Sequence, residues 1–191
     1  MTTTTWQLDS AHTSIEFAVK HLMIATVRGR FGAAQGVIEV DETHPETAKV
    51  EVTVDVMSID TRQEQRDAHL RSSDFFDVEK HPTLRFVGRR IEGDIRKDFK
   101  LIGDLTIRGV TKEVALNVTN EGQGNDPWGN VRTGFSASGK IDRRNFGLTW
   151  NQALEAGGIA VGDEIKITID AEFVRAATTG SATEEEASLA A

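Results

Sequence analysis

Residues 49–57, KVEVTVDVM, place Val50, Val52, Val54 and Val56 on one face and Glu51, Thr53 and Asp55 on the other. A period of two marks a strand with one buried side. In 165–174, Ile165, Ile167, Ile169 and Phe173 oppose Lys166, Thr168, Asp170 and Glu172. Ile15, Phe17 and Val19 alternate in 14–20, Val114, Leu116 and Val118 in 113–119, and Phe135, Ala137 and Ile141 in 135–142. Weaker runs lie at 31–41, 83–92 and 98–108, the last containing Leu105 and Ile107. The total is about eight strands. Sequential antiparallel strands with one apolar face need a sandwich or a closed barrel, and closure also removes exposed edges.

The interruptions carry their own signals. Arg108-Gly109 is short enough for a hairpin turn, and Glu121–Pro127 reads as a longer turn cluster. Trp6 and Leu8 share a parity that Ile15, Phe17 and Val19 do not, which predicts a bend at Asp9–His12. Thr61-Arg-Gln-Glu64 has the form of a capping box, with Thr61 as N-cap of a helix running to about Arg71. Its apolar residues are chiefly Ala68 and Leu70, so it should lie over the end of a sheet. Ser72–Val78 suggests a further turn that plants Phe75 and Phe76 beneath it, and 151–156 suggests a short helical piece. One domain over residues 1–175 is expected, followed by a disordered acidic tail at 176–191.

Composition narrows the chemistry. With 22 Lys+Arg against 30 Asp+Glu the net charge is −8, which argues against nucleic acid as a partner. The absence of cysteine removes disulfides, thiol nucleophiles, Cys-based zinc sites and iron–sulfur clusters. The first residues lack the pattern of a secretory signal and no run is long and apolar enough for a transmembrane segment, so a cytoplasmic location is expected.

An eight-stranded barrel is either filled by its side chains or holds one small ligand. The pattern alone leaves both open. Medium-sized Val and Ile on the inward face and the lack of tyrosine point towards a hollow, apolar interior. The residues assigned to it are Phe17, Val19, Val52, Val54, Val56, Leu105, Ile107, Leu116, Phe135, Ile141, Phe146, Trp150, Ile167, Ile169 and Phe173.

Catalytic and metal motifs are weak. The five histidines show no tight ligand spacing, so no metal is assigned. His12 and His69 read first as structural imidazoles and second as polar contacts to a ligand. Asp67 and His69 stand two apart on a helix and do not face each other. Gly134-Phe-Ser136-Ala-Ser138 approaches a nucleophile elbow but ends in Ser and lies in a strand pattern. No phosphate-binding loop leads from a strand into a helix, so no nucleotide cofactor is expected. Gly29 and Gly32 suggest tight turns beside Arg28 and Arg30, which read as solvated charges or as contacts to a ligand head group. Trp128 and Trp150 read as caps on the core or as stacking groups at a barrel mouth.

Taken together the motifs resemble the YceI-like family. They include Trp6-Gln-Leu-Asp9-Ser-Ala-His12, Val19-Lys-His21, Val27-Arg-Gly29-Arg-Phe31, Arg66-Asp67-Ala-His69-Leu70-Arg71 and Asp74-Phe75-Phe76-Asp77. Further on come Gly103-Asp-Leu105-Thr-Ile107-Arg-Gly109, Asp126-Pro-Trp128-Gly129 and Asp142-Arg-Arg-Asn145-Phe146-Gly147. The resemblance spans residues 5–175. It implies an all-β, eight-stranded antiparallel lipocalin-like barrel with short helices capping one end. It also implies binding of a long isoprenoid, polyprenyl or isoprenoid quinone, inside the barrel. Non-enzymatic binding is expected, and His12, His69, Arg28 and Asn145 are the candidate polar contacts read from the residues. Two rivals are an enzyme using His12 and His69, and a ligand-free stress-response module acting through protein contacts, such as a homodimer.

Overall fold

The computed structural model describes residues 3–155 and 157–177. Its strands are β1 (Thr3–Leu8), β2 (Ser14–His21), β3 (Ala25–Phe31), β4 (Ala34–Asp41), β5 (Lys49–Asp55) and β6 (Ile59–Asp60). A helix, α1 (Glu64–Arg71), precedes β7 (Thr83–Gly93), β8 (Asp98–Ile107), β9 (Val110–Asn125), β10 (Val131–Asp142) and β11 (Val161–Arg175).

These eleven segments make eight staves, because three pairs of consecutive strands are single bent strands. β3 lies against β2 with Phe31 opposite Ile15, and its continuation β4 lies against β1 with Ile38 opposite Trp6. β5 and then β6 follow β4 and β3, with Val52 opposite Gly36 and Ile59 opposite Phe31. β7 to β10 each pair with the next strand in antiparallel fashion. β11 pairs with β10 and returns to the first stave, with Ile167 opposite Phe17 and Phe173 opposite Leu8. The ring is a closed eight-stranded antiparallel barrel, one of the two arrangements that the alternation allows.

The bends are built locally. The Asp9 side chain accepts from the Ala11 amide and starts a 3-10 turn over Ser10–His12, where the change of parity predicts one. Asp55 starts a second at Val56–Ser58 by accepting from the Met57 amide. Ser58 Oγ then accepts from both the Gly32 and the Ala33 amides at 3.1 Å, joining this bend to the break between β3 and β4. The Arg108-Gly109 hairpin is present, with φ of 49° and 75° respectively.

Four local expectations fail. Thr61 is not the N-cap of α1; the Gln63 side chain is. Thr61 is buried, and its amide and hydroxyl donate to Asp67 Oδ1 at 2.9 and 2.5 Å, so a bond into α1 takes the place of the cap. Glu121–Pro127 is mostly strand, because β9 stays paired with β10 as far as Asn125 opposite Val131. Residues 151–155 are not helical; Ala153 forms a bridge with Ile159. Gly29 lies within β3 and not at a turn, and the Phe17 ring covers it. The acidic tail expected from residue 176 lies outside the described residues from 178 onward.

One end of the barrel is covered. α1 and the turn after it place Phe75 and Val78 out of solvent, and the 3-10 turn Arg143–Phe146 adds Phe146 and Leu148. Arg71 ties the cover to the wall by donating to the Met57 and Ile59 carbonyls at 3.1 and 2.7 Å.

Candidate functional site

Inside the staves is a cavity of about 350 Å³. This falls within the usual range for small-molecule sites. Ile15, Phe17, Val52, Phe86 and Ile167 line it and are still only half-buried. Inward side chains of a filled barrel would be sealed from solvent, so the interior is hollow. Leu70, Phe75, Phe76 and Leu148 form its floor beneath the cover. At the other end the lining comes from Val40, Pro45, Ala48, Ile95 and Asn120, all half-buried, with no comparable layer above them among the described residues. We call this end the mouth.

The lining is almost wholly apolar, and its few polar groups are already engaged. Asn120 Nδ2 donates to the Ile95 carbonyl at 2.9 Å, and its Oδ1 accepts from the Gly122 amide at 2.9 Å. Near the floor, the Arg143 guanidinium is 3 % exposed. It donates to the carbonyls of Gly162, Leu148, Trp150 and Val161 and to Asp163 Oδ1. Burial pushes its pKa down, partly offset by Asp163 and Asp142; an arginine so bonded stays charged. Arg85 and Glu16 turn their head groups outward, to Glu51 and to Ser14. The cavity therefore offers dispersion contacts and no free charge.

Of the residues assigned to the interior from sequence, Phe17, Val19, Val52, Val54, Leu105 and Ile107 line the cavity. So do Leu116, Phe135, Ile141, Ile167, Ile169 and Phe173. Three do not. Val56 falls on the 3-10 turn that ends β5, which takes it off the strand parity and into the packed layer with Ile59 and Val78. Phe146 and Trp150 follow β10 and belong to the cover, packed with Phe75 and Leu148.

The candidate polar contacts are dispersed. His12 is exposed on the outer wall, its Nδ1 2.8 Å from Asp9 Oδ2. His69 lies in the cover, with Nε2 2.8 Å from Asp74 Oδ2 and its ring edge-on to Trp150 and Phe75. Arg28 and Asn145 are exposed, and none of the four lines the cavity. The reason is parity for Arg28, which alternates with inward Val27 and Gly29. Trp150 caps the cover, whereas Trp128 is 81 % exposed and caps nothing.

Asp9, His12 and Glu172 stand close enough together to suggest a metal site. The space is held by a cation already: Arg132 Nη1 donates to Asp9 Oδ2 at 2.7 Å and also to Glu172 Oε1, and Arg132 Nε donates to Asp126 Oδ2 at 2.7 Å. Hydrogen bonds from Arg132 and His12 hold the Asp9 carboxyl down at about 2, and those from Asn130 and Arg132 hold Asp126 lower still.

Sequence reasoning did not assign Leu84, Phe86, Ile91, Phe99 and Leu101 to the cavity, although all line it. The signal was there for Phe99 and Leu101, which share parity with Leu105 and Ile107. In β7 it was broken, because a bulge between Gly88 and Arg90 shifts the register and puts Ile91 out of step with Phe86.

Comparison with known proteins agrees with this architecture. A YceI-like domain model matches residues 6–173. UPF0312 protein SAS2572 of Staphylococcus aureus (strain MSSA476) is 38% identical over 171 residues, covering 89% of this chain and 97% of that protein. A Campylobacter jejuni YCEI crystal structure superposes with a TM-score of 0.70 at 32% identity, covering 83% of this chain and 90% of that one. A polyisoprenoid binding domain from Saccharophagus degradans shares the fold, with a TM-score of 0.62 at 12% identity over 90% of this chain and 98% of that one. From the match along nearly the whole barrel, the chain belongs to the YceI-like family.

Proposed function

We propose that this barrel binds a long-chain isoprenoid lipid, a polyprenyl chain or the tail of an isoprenoid quinone, without catalysing a reaction, and sequesters or carries it. One observation carries the reading: a cavity closed at one end, almost wholly apolar, in which inward side chains remain half-buried. Likeness of fold to a polyisoprenoid binding domain supports the ligand class.

The driving force is desolvation. Each buried methylene contributes about 0.8 kcal/mol, so about ten give roughly 8 kcal/mol before the costs of association. That corresponds to roughly micromolar binding, and a longer tail exceeds it. From Ile165 to Phe173 the inward residues of β11 rise about 20 Å along the barrel axis at usual strand spacing and tilt. An extended hydrocarbon chain fits that length. With no unengaged charge in the cavity, the polar head of the lipid stays at the mouth. The enzyme alternative loses its basis in geometry, because His12 and His69 sit in separate environments outside the cavity.

The test is native mass spectrometry of the purified protein after incubation with polyprenols of several lengths, alongside Ile167→Trp, which fills the cavity midway. One lipid per chain for the wild type, and none for the filled variant at unchanged or higher thermal stability, is expected. Failure of every length to bind, or equal uptake by the filled variant, overturns the reading.

A further inference from the structure

The hairpin of β9 and β10 runs past the end of β8 at the mouth end. β8 meets β9 no further than Asp98 opposite Thr119, yet β9 and β10 remain paired to Asn125 opposite Val131. Asn120 still donates its amide to the Lys97 carbonyl at 2.7 Å, but residues 121–125 pair on the β10 side only. At the tip of this arm stands Trp128, 81 % exposed, beside exposed Pro127. An indole this open is not stabilised by packing, so its position needs another cause.

The turn holding it is heavily braced. The Asp126 carboxylate accepts from the Trp128 amide at 3.0 Å, from the Asn130 amide and side chain at 2.9 Å each, and from Arg132 Nε at 2.7 Å. Gly129 takes φ of 88° and closes the turn with its amide on the Asp126 carbonyl at 3.1 Å. The arm also carries little charge: from Gly122 to Val131 the single charged residue is Asp126, which pairs with Arg132, a cation it shares with Asp9 and Glu172. In a chain of net charge −8, this is a local exception.

Resting on the lipid-carrier reading, we propose that Trp128 is a membrane-interface anchor that seats the mouth of the barrel on a neutral lipid bilayer, where the lipid enters and leaves. Indole rings favour the headgroup boundary, where an apolar body and a polar N–H are both accommodated. A preorganised turn presents the ring without an ordering cost on contact. One aromatic anchor with no cationic patch gives a weak, reversible attachment, as a carrier that must depart requires. A second exposed apolar tip among the described residues, Leu22, Met23 and Ile24, lies at the opposite pole, at the covered end of the barrel.

The full-length protein is tested by flotation with phosphatidylcholine vesicles, and by the rate at which it takes a fluorescent polyprenol from them. Trp128→Ala is expected to lower both by about tenfold, the scale set by burying part of an indole. Uptake of the same polyprenol from detergent stays at the wild-type level. Trp128→Phe keeps most of the vesicle binding, and the double variant Met23→Ser, Ile24→Ser changes neither vesicle readout. The proposal is overturned if Trp128→Ala floats and transfers like wild type, or if it loses detergent uptake equally, which would place Trp128 in the ligand site. It is also overturned if light scattering shows that Trp128 holds two copies together. If wild-type protein takes no polyprenol from detergent, the carrier reading fails. Flotation and quenching of Trp128 fluorescence by brominated lipids then decide the anchor separately.

Discussion

The ring of Phe17 lies over Gly29, directly opposite it on the neighbouring strand, and leaves no space there for a β-carbon. Thr61 closes the same spot from the cover side, 2.8 Å from where that carbon would be. The glycine is therefore a recess that keeps an aromatic side chain against the wall and out of the cavity. Gly29→Val is expected to push Phe17 inward. Overpacking of this kind costs about 1–3 kcal/mol, and the cavity narrows at mid-height. Urea unfolding reads the first effect and polyprenol uptake the second; a variant with wild-type values in both would refute the recess.

Side chains facing the void and side chains in the cover should differ in what truncation costs. Phe146 is 1 % exposed and packed on all sides. Its replacement by Ala is expected to cost about 3–5 kcal/mol. Ile167 borders empty space on one side, so Ile167→Ala should fall below the usual range of about 2–5 kcal/mol for such a change. Equilibrium unfolding of the two variants checks the order.

Arg143 should behave as the bolt of the cover. It ties four backbone carbonyls between Leu148 and Gly162 to Asp163 and loses nearly all contact with solvent. Arg143→Met leaves those carbonyls and Asp163 without their donor, a change expected to cost about 3–5 kcal/mol. Amide exchange should accelerate over residues 147–162 before the rest of the barrel responds. Uniform acceleration over all strands would show that the arginine has no local role.

The Arg132 cluster predicts the acid limb of the stability curve. Asp9 is held at about 2, below the roughly 3.9 of an unfolded aspartate. A carboxylate depressed on folding adds stability that is whole above the unfolded value and is lost as pH falls through the folded one. Stability should therefore decline between about pH 4 and pH 2, with Asp126 extending the loss to still lower pH. Arg132→Met leaves Asp9, Asp126 and Glu172 without their shared cation. It should be less stable at pH 7 and should lose, or reverse, that decline. Urea midpoints measured across the range distinguish the two curves.

Parity carried most of the barrel. Alternation in β2, β5, β8, β9, β10 and β11 placed twelve of the assigned residues on the cavity wall, because a strand with one wet face leaves its inward set no other arrangement. It misled where the backbone leaves the strand: at Val56, lifted by a 3-10 turn, and at Phe146 and Trp150, carried past the end of β10. It was silent where a bulge changed the count, as between Phe86 and Ile91. The capping box at Thr61 was sound local chemistry, overridden by Asp67, a partner six residues on that the capping pattern does not weigh. That His12 and His69 would stay outside the cavity depends on which way each bend turns, and this is decided by tertiary packing.

The seam between the first and last staves has a consequence for synthesis. β11 pairs with β10, β2 and β1 at once, and its last partner, Arg175 opposite Trp6, lies near the end of the described chain. Until those residues leave the ribosome, the nascent sheet has two raw edges and an apolar face open to water. Pairings of this span form slowly, and open edges invite aggregation while they wait. The barrel cannot close, or even protect itself, until translation has passed β11.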